Sequence, residues 1–175
     1  MGTPETGTPE KSSAPQPIRA GEHAVGYAVT LPVPAEKVWA LVSNPHRHHE
    51  LDGSGTVRDR AVGPHVLSEG ARFSVHMRKF GLPYRLPLKV TRARAPEAGT
   101  GTGGVVEWRQ PTGHRWRWEM QPINDGEATV VTETYDATGQ NPLARAVLSA
   151  VKVPAENARN IRASLERLQQ LMAPQ

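Results

Sequence analysis

The sequence contains no cysteine among its 175 residues. This absence excludes disulfide bonds, iron–sulfur clusters, cysteine-rich zinc sites and thiol nucleophiles. Long apolar runs are also missing: no stretch approaches the roughly 18 residues that a membrane-spanning helix needs, so no span is predicted. The N-terminal residues lack the apolar segment of a secretory signal, and we therefore expect a cytoplasmic protein.

Familiar cofactor and nucleophile motifs are absent as well. The sequence has no phosphate loop, dinucleotide fingerprint, nucleophile elbow or zinc-protease motif. The glycine-rich stretch "GTGTGG" at 99–104 is not set between a strand and a helix, so it is interpreted as a linker. No cofactor is predicted. Lysine and arginine outnumber aspartate and glutamate by 21 to 17, a net charge of +4, but the basic residues are scattered and do not favour nucleic-acid binding.

The order of elements is that of an α+β domain. Residues 1–21 are rich in proline, threonine, serine and glycine, and this composition predicts a disordered tail. Residues 22–173 are predicted to form one domain. It begins with a strand in which apolar residues alternate from Val25 to Leu31, continues with two short helices, and then has consecutive strands with turns between them. A long C-terminal helix follows, with a break expected at Pro154.

A cluster of titratable residues lies at Asn44–Gly55, "NPHRHHELDGSG". The spacing of His46, His49 and Asp52 allows all three to share a helix face, which raises the question of a metal site. No second cluster completes a coordination sphere, so no metal is predicted. The alternatives are a short surface helix at the edge of the sheet or one histidine pointing into a pocket. His49 is the candidate for that inward position.

Four stretches together resemble a known superfamily: "LPVPAEKVWALVSNPHRHHELDGSG", "HRWRWEMQP", "TVVTETYDATG" and "NIRASLERLQQL". They are similar to the SRPBCC (START/birch-pollen-allergen-like) superfamily, in particular its polyketide cyclase/dehydrase and lipid-transport branch. The resemblance covers roughly residues 22–172. It implies a helix-grip fold, in which a curved antiparallel sheet of about six to seven strands wraps around a long C-terminal helix. It also implies a deep pocket for a hydrophobic small molecule. Where the branch often has a tryptophan-rich helix ending in Trp-Asp, this chain has "HHELD".

Within such a fold, core and pocket wall are one surface, so large apolar residues are candidates for either role. The candidate ligand-binding residues are Trp39, Met77, Tyr84, Trp108, Trp116, Trp118 and Ile161. The candidate catalytic residues are His49, Glu133 and Tyr135. Glu133 is open to two interpretations: inside a pocket its pKa would be raised, suiting acid–base chemistry, whereas on the surface it would pair with an arginine. His76 and Arg78 are expected to face solvent unless a bulge shifts the register by one residue.

Three functions remain open. The first is a polyketide-cyclase-like enzyme that positions a flexible substrate and assists enolisation or dehydration with a histidine or glutamate base and an arginine or tyrosine donor. The second is a non-catalytic carrier or sensor of a lipid or isoprenoid. The third is binding to nucleic acid or a membrane surface through the scattered arginines. The chain is expected to be a monomer or homodimer.

Overall fold

The computed structural model of the protein describes residues 13–150 and 152–173. It has the α+β helix-grip architecture that the sequence predicts. The helices and strands are β1 (Gln16–Ile18), β2 (Ala24–Leu31), α1 (Ala35–Val42), α2 (His48–Leu51), β3 (Val57–Val62), β4 (Arg72–Lys79), β5 (Leu82–Arg94), β6 (Gly104–Arg109), β7 (Arg115–Ile123), β8 (Ala128–Asp136), α3 (Pro142–Ala150) and α4 (Val153–Met172).

The strands form one antiparallel sheet in the order β1-β2-β8-β7-β6-β5-β4-β3. Strands β3 to β8 follow one another as hairpins, and β2 pairs with β8, so the first long strand lies beside the last. Helix α4 packs against the inner face of the sheet. Its side chains Ile161, Leu165 and Leu168 are fully buried, together with Val38 and Val42 of α1. The core therefore lies between sheet and helices, as the alternating strands and the amphipathic C-terminal segment require.

Among the described residues the sheet has eight strands rather than six to seven, and β1 lies in the segment predicted to be disordered. Gln16 pairs with Ala28 and Ile18 with Gly26. A polar, proline-containing segment with no apolar period gives little sequence signal for a strand, yet it suits a three-residue edge strand, where few backbone groups must pair and proline is tolerated. Residues 1–12 lie outside the described residues, and the predicted domain boundary at residue 22 stays a prediction.

The segment between α1 and β3 is fixed by its own polar groups. The Asn44 side chain accepts a hydrogen bond from the backbone N–H of His46 (3.1 Å), with Pro45 next to it in a single 3-10 turn. After α2, the Asp52 carboxylate accepts hydrogen bonds from the N–H of Ser54 (3.0 Å) and Val57 (2.8 Å). Asp52 thus closes the turn that its position before a glycine predicts. The whole segment is held against one end of the sheet.

Helices α3 and α4 are separate elements, in agreement with the break expected from the proline. Lys152, immediately before α4, has a left-handed backbone (φ 62°), and Pro154 stands in the first turn of α4. Proline is well tolerated there because its missing N–H would have no helical partner. Helix α3 lies at the surface of the fold, since none of its residues is buried.

The outer face of the sheet carries a buried ion pair. Glu107 is only 4% exposed, and its carboxylate accepts hydrogen bonds from Arg117 Nη2 (2.7 Å), Arg117 Nε (2.8 Å) and Thr91 Oγ1 (2.7 Å). Because this carboxylate is removed from water, its stability in the folded protein depends on those donors.

We expect Arg117→Ala to lower the free energy of unfolding by about 2 kcal/mol, because it leaves the Glu107 carboxylate buried with the Thr91 hydroxyl as its remaining side-chain donor. The matched control is Arg162→Ala, which removes an exposed helical pair with Glu166 and should cost no more than about 0.5 kcal/mol. Urea unfolding of both variants measures the difference. Equal costs would contradict the argument.

Candidate functional site

A cavity of about 410 Å³ lies between the inner face of the sheet, α2 and the α3–α4 region. This volume is in the range of small-molecule sites in proteins, about 300–1,000 Å³. Its walls are mainly apolar, with a few polar groups between them. The apolar wall includes Val42, Leu51, Val57, Val75, Met77, Tyr84, Leu86, Leu88, Trp108, Trp116, Trp118, Leu148 and Val153.

Rings in mutual contact stiffen one side of the cavity. His48 stacks on Trp108 with ring centroids 5.0 Å apart and an interplanar angle of 25°. Phe73 meets both rings edge-on at 5.8 Å. Further along the sheet, Trp116 and Tyr135 pack at 5.2 Å. Stacked and edge-to-face arrangements of this kind are favourable beyond the area they bury, so this wall is preformed.

His48 is the histidine of the cluster that lines the cavity. Its Nε2 lies 2.9 Å from the Val42 carbonyl oxygen, which can only accept, so Nε2 carries the proton and Nδ1 is an acceptor. Burial lowers the pKa of His48 to about 4, with Asp52 opposing this shift and His46 and His49 adding to it. At neutral pH the side chain is therefore an uncharged imidazole.

The inward position was predicted for His49, and the structure places His48 there instead. Helix α2 is a single turn, so adjacent residues point in different directions, and the flat wall beside Trp108 accepts the ring of His48. His49 does not line the cavity, and its Nδ1 atom is buried without a hydrogen-bond partner among the described residues. His46 contacts the Gly63 carbonyl oxygen at 3.0 Å and stacks on His65. The histidines of this cluster therefore do not converge on one point.

Glu133 lies on the inner face of β8, between Tyr27 of β2 and Trp118 of β7. It lines the cavity and is 5% exposed, which excludes the alternative of a surface residue paired with an arginine. Its Oε2 atom is buried and has no hydrogen-bond partner within the described part of the chain. Burial raises the pKa of Glu133 well above its usual value, with Asp52 adding to the shift and a hydrogen bond with Ser164 opposing it. The protonated carboxyl is thus favoured.

Ser164 connects Glu133 to the turn after α2. The backbone N–H of Gly53 donates to Ser164 Oγ at 3.0 Å, which leaves the serine hydroxyl proton free to point at the carboxyl. The two polar elements approach so closely that a Cβ atom on Gly53 would lie 2.1 Å from the Asn160 carbonyl oxygen and 2.6 Å from the Ser164 nitrogen. Only glycine permits this contact between the turn and α4.

A second cluster of polar residues surrounds Tyr135. His114 lines the cavity with its ring 5.0 Å from that of Tyr135, and burial lowers the pKa of His114 to about 4. Its Nδ1 lies 3.1 Å from the Gln140 amide nitrogen, a donor, so Nδ1 accepts and Nε2 carries the proton. Thr112 Oγ1 also contacts Nδ1, at 2.8 Å. Burial raises the pKa of Tyr135, and a hydrogen bond with Gln140 opposes the rise.

Most of the predicted site residues lie at the cavity, and three lie elsewhere: His49, described above, Trp39 and Ile161. Trp39 is half-buried on α1 and packs against the core, while Ile161 is fully buried in it. Neither of these two lines the cavity. His76 and Arg78 are also outside it, as the unshifted strand register predicts. The predicted residues that do line it are Met77, Tyr84, Trp108, Trp116, Trp118, Glu133 and Tyr135.

Several cavity residues were not predicted, among them His114 and the cavity-facing side of α4. His114 was missed although it continues the two-residue alternation of Trp116 and Trp118, which is a signal that the sequence contains. The cavity-facing side of α4 was missed because, apart from Val153 at its start, it is polar: it consists of Glu156, Asn157, Asn160 and Ser164. Polar residues on an amphipathic helix are ordinarily assigned to solvent, so no pattern in the sequence pointed to this face.

The sequence matches the family described as polyketide cyclase / dehydrase and lipid transport over residues 22–173. The chain belongs to this family. Its fold and family are therefore those of the SRPBCC superfamily, as the resemblance in the sequence indicated. None of the helices in the described part of the chain is both long and apolar enough to cross a membrane.

The similar proteins support the fold, but their descriptions give no activity. The uncharacterized protein Rv0088 of Mycobacterium tuberculosis is 44% identical over 119 residues, which are 68% of this chain and 50% of that protein. The chain thus spans about half the length of the curated relatives it matches. A crystal structure from Rhodobacter sphaeroides has a TM-score of 0.62 at 13% identity, covering 90% of this chain and 96% of that one. A hypothetical protein from Helicobacter pylori has a TM-score of 0.59 at 14% identity, covering 85% and 86%.

Proposed function

We propose that the protein is a polyketide cyclase/dehydrase-like enzyme that folds a flexible, largely apolar, carbonyl-bearing substrate inside the cavity. The observation that carries this proposal is Glu133: a carboxyl buried in an apolar cavity, with one oxygen lacking a partner among the described residues. A buried polar group without a hydrogen-bond partner destabilises a fold by about 1–3 kcal/mol. A carboxyl of this kind is therefore unfavourable unless a bound ligand forms the missing hydrogen bond. A substrate oxygen supplies the missing partner.

Glu133 and His48 have complementary roles in this proposal. The protonated Glu133 donates a hydrogen bond, and then its proton, to a substrate carbonyl oxygen as negative charge develops there. His48 is neutral with an acceptor Nδ1, so it suits the removal of a proton from the carbon next to a carbonyl. Tyr135 and the Nε2–H of His114 are donors for a second substrate oxygen. The aromatic wall supplies shape, which decides which carbons meet.

Ring closure then needs no cofactor. Proton transfer from carbon to His48 produces an enolate, the enolate carbon forms a bond to a second carbonyl carbon, and that carbonyl oxygen takes the proton of Glu133. Loss of water from the resulting alcohol, with the same two groups in reversed roles, gives the unsaturated ring. The role predicted for His49 passes to His48 in this scheme, while Glu133 and Tyr135 keep the catalytic roles predicted for them.

Turnover of a short poly-β-ketone thioester, followed by the absorbance of the aromatic product, tests the proposal. We expect Glu133→Gln to lower kcat by roughly 10²–10⁴-fold, the usual contribution of general acid–base catalysis. Binding should change only a few-fold, because glutamine keeps the shape and a donor. The quenching of cavity tryptophan fluorescence measures that binding. His76→Ala, outside the cavity, is the control and should leave kcat unchanged.

The carrier hypothesis gives the opposite result. A wild-type protein that binds the thioester or a lipid tightly without turning it over, and whose Glu133→Gln variant binds equally well, would be a carrier. That outcome would remove the enzymatic role while leaving the cavity as a ligand site.

A further inference from the structure

The hairpin between β4 and β5 ends in apolar side chains that the fold leaves in water. Phe80 is 92% exposed, Leu82 is 71% exposed and Tyr84 is 43% exposed. The backbone of Phe80 is left-handed (φ 51°), as is that of Gly81 (φ 79°). A two-residue turn of this shape favours Asn-Gly, because a side chain such as phenylalanine is strained at positive φ. The phenyl ring is therefore not explained by the stability of the turn.

This hairpin tip borders the mouth of the cavity. Lys79 and Tyr84 both line the cavity, and Lys79 Nζ lies 3.9 Å from Glu156 Oε1 on the first turn of α4. On the other side of the mouth, Leu148 and Val153 line the same cavity. Helix α3 has no buried residue, and its Leu143 and Val147, one turn apart, are 76% and 57% exposed. The mouth is thus bordered by exposed apolar groups on two sides.

The two chain segments that border the mouth carry basic residues and no acidic ones, while the acidic Glu156 beside them is paired with Lys79. Between Glu69 and Glu97 the sequence has no acidic residue, whereas it has seven basic ones: Arg72, Arg78, Lys79, Arg85, Lys89, Arg92 and Arg94. Three of them, Arg78, Lys79 and Arg85, flank the tip. The segment 137–155, which contains α3, likewise has two basic residues and no acidic one. Exposed aromatic and aliphatic side chains surrounded by lysine and arginine are complementary to an anionic lipid surface.

We propose that the mouth of the cavity docks on an anionic lipid bilayer. Phe80 and Leu82 enter the boundary between headgroups and acyl chains, and Arg78, Lys79 and Arg85 contact the headgroup phosphates. The cavity then opens toward the hydrocarbon, so an apolar ligand moves between bilayer and protein without crossing water. This docking surface is separate from the catalytic residues proposed above, and the docking proposal does not depend on their roles.

Flotation with lipid vesicles tests the proposal, using phosphatidylcholine alone and phosphatidylcholine with phosphatidylglycerol. The wild-type protein should bind the anionic vesicles at low salt, and binding should weaken as salt is raised. The double variant Phe80→Asn/Leu82→Ser should bind at least tenfold less. Asparagine suits the left-handed backbone at residue 80, so this variant should unfold at the same temperature as the wild type or higher.

The control is Val66→Ser, which removes a 62%-exposed apolar side chain from the loop at the opposite end of β4. It should leave vesicle binding unchanged. Failure of the wild-type protein to bind anionic vesicles, or equal binding by both variants, would overturn the proposal. So would a wild-type dimer, detected by light scattering, that the double variant dissociates while vesicles remain unbound. Turnover of a water-soluble thioester should be the same in the double variant, so this test and that of the proposed enzyme fail separately.

Discussion

Gly53→Ala is expected to lower the free energy of unfolding by roughly 3 kcal/mol, which for a chain of this size is a loss of about 6–12 °C in melting temperature. The added Cβ would meet the Asn160 carbonyl oxygen at 2.1 Å and the Ser164 nitrogen at 2.6 Å. Both are backbone atoms of α4 and cannot rotate away. The turn after α2 must therefore move off the helix, which also breaks the hydrogen bond from Gly53 N–H to Ser164 Oγ.

The same substitution should weaken ligand binding, because Asn160 and Ser164 line the cavity. Gly55→Ala is the matched control. Gly55 is two residues away, has a left-handed backbone (φ 69°), and has nothing within 4 Å of an added Cβ. It should cost only the about 1 kcal/mol of placing alanine in that conformation. Thermal and urea unfolding of the two variants separate the contributions. If both lose the same stability, the close approach of residue 53 to α4 does not govern the fold.

The sequence was sufficient to predict the fold where periodicity and turn residues agree. Alternation from Val25 to Leu31 gave β2, and the C-terminal spacing of apolar residues gave the helix that carries Ile161 and Leu165 into the core. The three-residue strand at Gln16–Ile18 was missed because its stability comes from the edge of β2 and not from its own composition. Whether such a short segment forms a strand depends on the strand it pairs with, and the local sequence does not contain that information.

The site was predicted less completely than the fold, for a related reason. Residues on β7 could be assigned to the inner face from alternation, so Trp116 and Trp118 were found, whereas alternation left open which face of β8 carries Glu133 and Tyr135 inward. The choice between His48 and His49 depends on how one turn of helix rotates against Trp108, a tertiary contact that sequence does not contain. A polar helix face such as the one around Asn160 is normally exposed to solvent. In this fold the curved sheet encloses that face, so it lines the cavity instead.

The second large effect is a loss of stability that is expected when the pH is lowered. His48 and His114 each have a pKa of about 4 in the folded protein against 6.5 as the ordinary value. Between these two pH values the unfolded chain binds more protons than the folded protein, so the free energy of unfolding falls as the pH is lowered from about 6.5 to 4. Each imidazole contributes a loss of about 3 kcal/mol over that range. Glu133 acts in the opposite direction, because a raised pKa in the folded state costs stability above the ordinary carboxyl value and less as the pH falls toward it.

His48→Phe isolates one of these contributions. Phenylalanine keeps the stack on Trp108 but loses the hydrogen bond to the Val42 carbonyl, so at pH 7 the variant should be about 1 kcal/mol less stable than the wild type. Near pH 4 it should be about 2 kcal/mol more stable, because it has no imidazole to protonate on unfolding. Phe73→Leu is the control: it alters the same ring cluster without a titrating group, so its cost should not depend on pH. Urea unfolding at pH 7, 5.5 and 4 measures both differences. A constant difference for His48→Phe would mean that the imidazole is as readily protonated in the folded cavity as in water, and the neutral base that the proposed ring closure requires would then be lost below pH 6.5.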